Sequence, residues 1–175
     1  MNSYEPLYID YLIYFNRDQD YFECHEVLEE LWLERDRDPL YKGLLQVAVG
    51  LYHYRNGNLR GGFKMLQSSL ELMKAYPDVM LGIRLGVLKE QVRGLVKQLQ
   101  ESEPEASSYR DLSIQIEDES LIRQIEIRSA ELKPNVPQRR SPTRGRIYEE
   151  KMREQRQAQA MEQRNHVKLN KHANN

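Results

Sequence analysis

From Tyr4 to Gln100 the apolar residues of this 175-residue chain recur three and four positions apart, and turn-forming residues cut the pattern into five pieces. That spacing is the period of an α-helix that buries one face, so the chain is constrained to a bundle of amphipathic helices joined by short turns. Tyr4 to Asn16 carries Leu7, Tyr8, Tyr11, Leu12 and Phe15, with Pro6 at its start. Tyr21 to Arg35 follows, with Asp20 as its N-cap and Cys24, Val27, Leu28 and Leu31 as its core stripe. The third helix, Leu40 to Arg55, is entered through Asp38-Pro39 and left through Asn56-Gly57-Asn58, a capping residue with a first-turn proline and a glycine stop. Leu59 to Tyr76 is the fourth, ended by Pro77. In the fifth, Val79 to Gln100, Leu81, Leu85, Leu88, Val92, Leu95 and Leu99 alternate by four and three, a seam that suits packing along the bundle or a homo-oligomer.

The remainder is different. Residues 101–108 are a Glu- and Ser-rich linker; Leu112, Ile114 and Ile116 then alternate with polar residues as a strand does, yet no partner strand is evident. From Asp118 the spacing turns helical, so an extended segment and a short helix are expected to lie on the bundle. Beyond Pro134 and Pro137 the chain is basic, and residues 149–164 offer good helix formers with little to bury, so the tail is expected to be disordered or marginally helical. The expected organisation is an all-α bundle of about five antiparallel helices over 1–100, an appended segment over 101–132 and a basic tail over 133–175.

Charge follows the same division. Residues 1–132 hold 15 Lys/Arg and 23 Asp/Glu, a net of −8, whereas residues 133–175 hold 11 and 4, a net of +7. The tail could contact nucleic acid weakly through phosphates, but Tyr148 is its one aromatic residue, so base stacking has little support. The lone Cys24 excludes an intrachain disulfide, and no apolar run approaches the ~20 residues that span a bilayer. Met1 to Pro6 lacks a basic segment followed by an apolar one. These features lead to the expectation of a cytoplasmic protein with no membrane contact.

The chemistry concentrates on the second and third helices. Phe22, His25, Glu29 and Trp32 fall at i, i+3, i+7 and i+10, one stripe with apolar ends and a polar middle, and Glu26 lies beside it. Gly43, Gln46, Gly50 and His53 repeat that spacing on the third helix, so the two stripes could face each other and the glycines could admit a backbone or a ligand. The pocket so defined is His25, Glu26, Glu29, Trp32, Gln46 and His53. Three chemistries suit it. His25, Glu29 and His53 could ligate a divalent metal such as zinc, with Glu26 as the catalytic base of a hydrolase. A Glu–His pair could act as a metal-free acid and base. A buried His–Glu–Gln cluster could instead fix helix register alone. Arg55, Arg60 and Lys64, around the Asn56-Gly57-Asn58 turn, form a candidate anion site at a helix N-terminus.

Phe22-x-x-His25-Glu26-x-x-Glu29-x-x-Trp32, followed by Lys42-Gly43-Leu44-Leu45-Gln46-Val47-Ala48, Tyr52-His53 and Gly57-Asn58, resembles the small helical family catalogued as domain of unknown function 309. The resemblance covers Tyr21 to Tyr76. It implies an all-α bundle and groups the pocket residues as one unit, while implying no established activity, cofactor or partner. The foremost functional reading is a cytoplasmic ligand- or protein-binding helical module, with the metal-dependent enzyme as the alternative and weak nucleic-acid binding by the tail as the second.

Overall fold

The computed structural model describes residues 3–101, 109–134 and 153–164. The chain divides into two compact units, residues 1–142 and 143–175. The described residues of the first are mainly helical. Helix α1 (Pro6–Ile13) runs into one turn of π-helix, Tyr14–Asp18, closed by Gln19 in the left-handed region at φ 51°. Helix α2 (Tyr21–Glu34) starts where the Asp20 carboxylate accepts from the Glu23 amide, and α3 (Pro39–Arg55) where Asp38 accepts from Leu40 N at 2.9 Å. Asn58 caps α4 (Leu59–Met73) through Gly61 N. Helix α5 spans Leu85–Gln100 and α6 Glu119–Glu131.

Helix α3 is the central element, packed against α2 on one side and α4 on another. Its glycines do not face α2, as the matching stripes suggested. A Cβ on Gly50 would stand 2.7 Å from Leu66 Cγ, and one on Gly43 would stand 2.7 Å from Met73 Cγ. Across from them Gly62 lies so near that its Cβ would come within 3.2 Å of the Gly50 carbonyl oxygen. The small residues therefore let the α3 and α4 backbones approach, and the glycine spacing is explained by packing alone.

The fifth helix begins six residues later than periodicity indicates. Val79–Met80 (β1) and Ile83–Arg84 (β2) form a two-stranded antiparallel hairpin whose turn, Leu81-Gly82, has φ of 51° and 72°. Positive φ at both central residues is the primed geometry that matches strand twist. This hairpin is the partner the extended segment lacked in the sequence. Ile116 bridges Ile83, Arg84 N donates to Gln115 O at 2.9 Å, and Glu117 N donates to Gly82 O at 2.8 Å. Leu112, Ile114 and Leu121 are buried, and the Asn16 side chain bonds both the amide and the carbonyl of Ile114 at 2.8 Å. Arg128 on α6 grips the Asp10 carboxylate of α1 through Nε and Nη2.

Leu85, Leu88, Val92 and Leu95 are each at most 1% exposed within the chain itself, so the regular α5 stripe is core rather than an intermolecular seam. Tyr8, Tyr11, Phe15, Tyr21, Leu28, Leu44, Leu51 and Leu66 are completely buried and complete that core. In the second unit residues 153–164 are helical with every residue exposed. Residues 135–152 and 165–175 of the basic tail lie outside the described residues. Among the described residues no helix is long and apolar enough to cross a membrane.

Candidate functional site at the α2–α3 seam

The tight turn Arg35 to Asp38 sets α2 and α3 antiparallel, so the start of one meets the end of the other. The Phe22 ring lies 6.1 Å from that of Tyr52, and Lys42 Nζ lies 5.5 Å from the Trp32 ring centroid. Between those apolar ends the polar side chains are sequestered: Glu29 is 9% exposed and Gln46 8%. His25 Nε2 stands 3.2 Å from Glu29 Oε2, one helical turn on. Glu29 is thus in contact with the imidazole, and Glu26 is half-buried on the same helix.

Burial pushes the His25 imidazole down from 6.5 to about 4, and the neighbouring His53 acts in the same direction. Burial also lowers His53, whose Nδ1 lies 3.4 Å from Asn58 Nδ2. Both rings are therefore neutral at pH 7. Two neutral, half-buried imidazoles and a buried carboxylate make an environment able to take or give a proton near a bound molecule.

Two further atoms mark the seam. Trp32 Nε1, a donor, and Gln46 Oε1, an acceptor, are buried and have no hydrogen-bond partner among the described residues. An unmet buried polar group costs about 1–3 kcal/mol, so two in one seam call for an explanation.

The structure brings His25, Glu29 and His53 near one another without arranging them as a ligand set. Among the described residues no group of three or more His, Cys, Asp or Glu side chains is disposed to hold a metal ion. His25 turns to Glu29 along its own helix, while His53 is directed to the α3–α4 turn. In the candidate anion site, at the C-terminal end of α3, Arg55 is engaged by the bundle and Arg60 and Lys64 are exposed. Arg55 donates to Gln19 O at 2.7 Å, stacks 4.8 Å over Tyr21 and lies 3.8 Å from Asp111. Cys24 is core: burial holds its thiol well above the ordinary range, and Sγ donates to Tyr11 O at 3.5 Å.

Two residues at the Trp32 end escaped sequence reasoning. Lys42 and Arg37 both lie over the Trp32 ring, at 5.5 and 5.7 Å from its centroid. Arg37 is held there by a turn in which Asp36 and Arg37 are consecutively left-handed, at φ 51° and 59°. Nothing in a non-glycine pair announces that conformation.

A family model described as "Domain of unknown function (DUF309)" matches residues 8–65, which hold most of α1, all of α2 and α3 and the first half of α4. "Uncharacterized protein YpuF" of Bacillus subtilis (strain 168) is 36% identical over 123 residues, covering 67% of this chain and 68% of the relative. An "Uncharacterized protein" of Aquifex aeolicus (strain VF5) is 32% identical over 73 residues, 40% of this chain and 22% of that longer relative. The matched stretch contains the whole α2–α3 seam, and this chain belongs to the DUF309 family.

Proposed function

We propose that this protein is a cytoplasmic binding module that receives a small polar molecule at the seam of α2 and α3, with His25, Glu26, Glu29, Trp32, Gln46 and His53 as its pocket. The observation that carries this reading is the pair of buried, partnerless polar atoms, Trp32 Nε1 and Gln46 Oε1, on facing helices. A fold that needed only packing would place apolar atoms there, because removing both from an unsatisfied pair is neutral or stabilising. A ligand with one acceptor and one donor satisfies both. The free, buried Cys24 fits a reducing compartment. In this reading the bundle of residues 1–100 carries the site, 101–132 brace it, and 133–175 form a separate basic tail.

Trp32 is the single tryptophan, so its indole N–H gives one resolved proton resonance. Screening a library of small polar molecules against the ¹⁵N-labelled chain is expected to move that resonance together with the Gln46 side-chain amide. A library that moves neither contradicts the reading, as does a hit whose effect survives intact in Gln46→Met.

A further inference from the structure

We propose that the Trp32 end of this seam is an anion subsite, so that the molecule bound is a small organic acid or phosphate ester carrying a hydrogen-bond donor at its other end. This rests on the seam being a binding site and adds what kind of molecule it selects.

Three independent features meet at this end. Lys42 and Arg37 both lie over the Trp32 ring, and among the described residues neither has a carboxylate at ion-pair distance. The contrast is plain at the cavity of about 590 Å³ beside the hairpin and α5, where Arg84 pairs with Glu117, Arg93 pairs with Glu90 and Lys89 donates to Tyr76 O at 2.6 Å. The second feature is the Trp32 N–H itself, a buried donor still to be met. The third is backbone strain: Asp36 and Arg37 hold consecutive left-handed conformations, and Arg37 N donates to Trp32 O at 2.9 Å, tying the strained turn to the residue it serves.

The ligand chemistry follows from these groups. A cationic ligand would meet two like charges. A neutral acceptor would satisfy the indole alone and gain nothing from the charges of Lys42 and Arg37. An anionic oxygen accepts from the indole N–H and is attracted to both cations at once. Gln46 stands one turn from Lys42 on α3, and its buried carbonyl oxygen calls for a hydroxyl or amine N–H some atoms away. Carboxylate and phosphate share this chemistry.

The test uses the full chain at pH 7 and low salt, reading Trp32 fluorescence and calorimetric heat. The probes are glycerol 3-phosphate beside glycerol, and glycolate beside glycolamide. One charged member is expected to bind saturably where its neutral counterpart does not, and the pair that responds tells phosphate from carboxylate. Lys42→Gln and Arg37→Gln, both at partly or fully exposed positions, should each weaken binding by about tenfold or more while leaving the urea midpoint near that of the parent. Equal binding of a neutral counterpart overturns the anion subsite and leaves the seam as a binding site. Binding indifferent to both substitutions overturns it too, and so does failure of both charged probes. The seam reading falls separately, when a broad library moves neither the Trp32 indole nor the Gln46 amide.

Discussion

Acidification should destabilise this protein through His25 before its carboxylates begin to titrate. In the unfolded chain the imidazole takes up a proton near 6.5, whereas burial and the adjacent His53 hold the folded value at about 4. A depressed histidine means that the unfolded state binds more protons between those limits, so the contribution is fully present above pH 6.5 and is lost as pH falls toward 4. Across the whole window the shift corresponds to about 3 kcal/mol, of which about 2 kcal/mol falls between pH 7 and pH 5. The side chain is 21% exposed, little enough that solvent screening does not cancel the effect. His53, shifted the same way, adds to the slope. Urea unfolding at half-unit steps from pH 7.5 to 5 measures it, and His25→Gln isolates the share of this ring by flattening the curve. Proton NMR of the His25 ring gives the folded value directly. A ring that titrates at or above 6.5, or stability that is level between pH 7 and 5, would show that Glu29 keeps the imidazole charged and that the seam is wetter than its burial implies.

Other substitutions probe the frame that holds the seam. Gly50→Ala would drive a methyl into Leu66 at 2.7 Å and is expected to cost about 1–3 kcal/mol in urea unfolding, whereas a cost near zero would mean that α3 and α4 part easily. Asp36→Gly should relieve a left-handed residue and raise stability by about 1 kcal/mol, and lowered stability would show that the Asp36 side chain has a structural role. Asn16→Ala removes both bonds to Ile114, so hydrogen exchange over 112–117 should quicken while that of α2 and α3 stays unchanged. Uniform exchange in parent and variant would show that the extended segment is held by Leu112 and Ile114 alone.

Local chemistry wrote much of the fold plainly. Asp20, Asp38 and Asn58 each stand where a capping oxygen meets free helix amides, and each does so. The hairpin at Val79–Arg84 was hidden because Leu81 and Leu85 are four apart and continue a helical stripe; the left-handed Leu81 that breaks it carries no signature of its own. Strand-like alternation at 112–116 was legible, but its partner lay inside that disguised hairpin. The polar stripe of α2 followed from periodicity, which tells which residues share a face. It does not tell which neighbour covers that face, so Gly43 and Gly50 were matched to α2 although α4 takes their space. Arg55 looked like a free cation beside a turn, and only tertiary contact with Gln19, Tyr21 and Asp111 engages it. The cations over Trp32 come from a strained loop and the start of the next helix, a juxtaposition that no linear spacing encodes.

Central to this account is that Gln46 is kept for something other than the stability of the bundle. Gln46→Met replaces its buried amide with an apolar side chain of similar length, and equilibrium unfolding in urea at pH 7 compares it with the parent chain. The account predicts a gain of about 1–3 kcal/mol, because an acceptor with no partner is removed from the interior. A loss of similar size would contradict it, since the amide would then be a bonded member of the core and the seam would have no unmet group to offer a ligand.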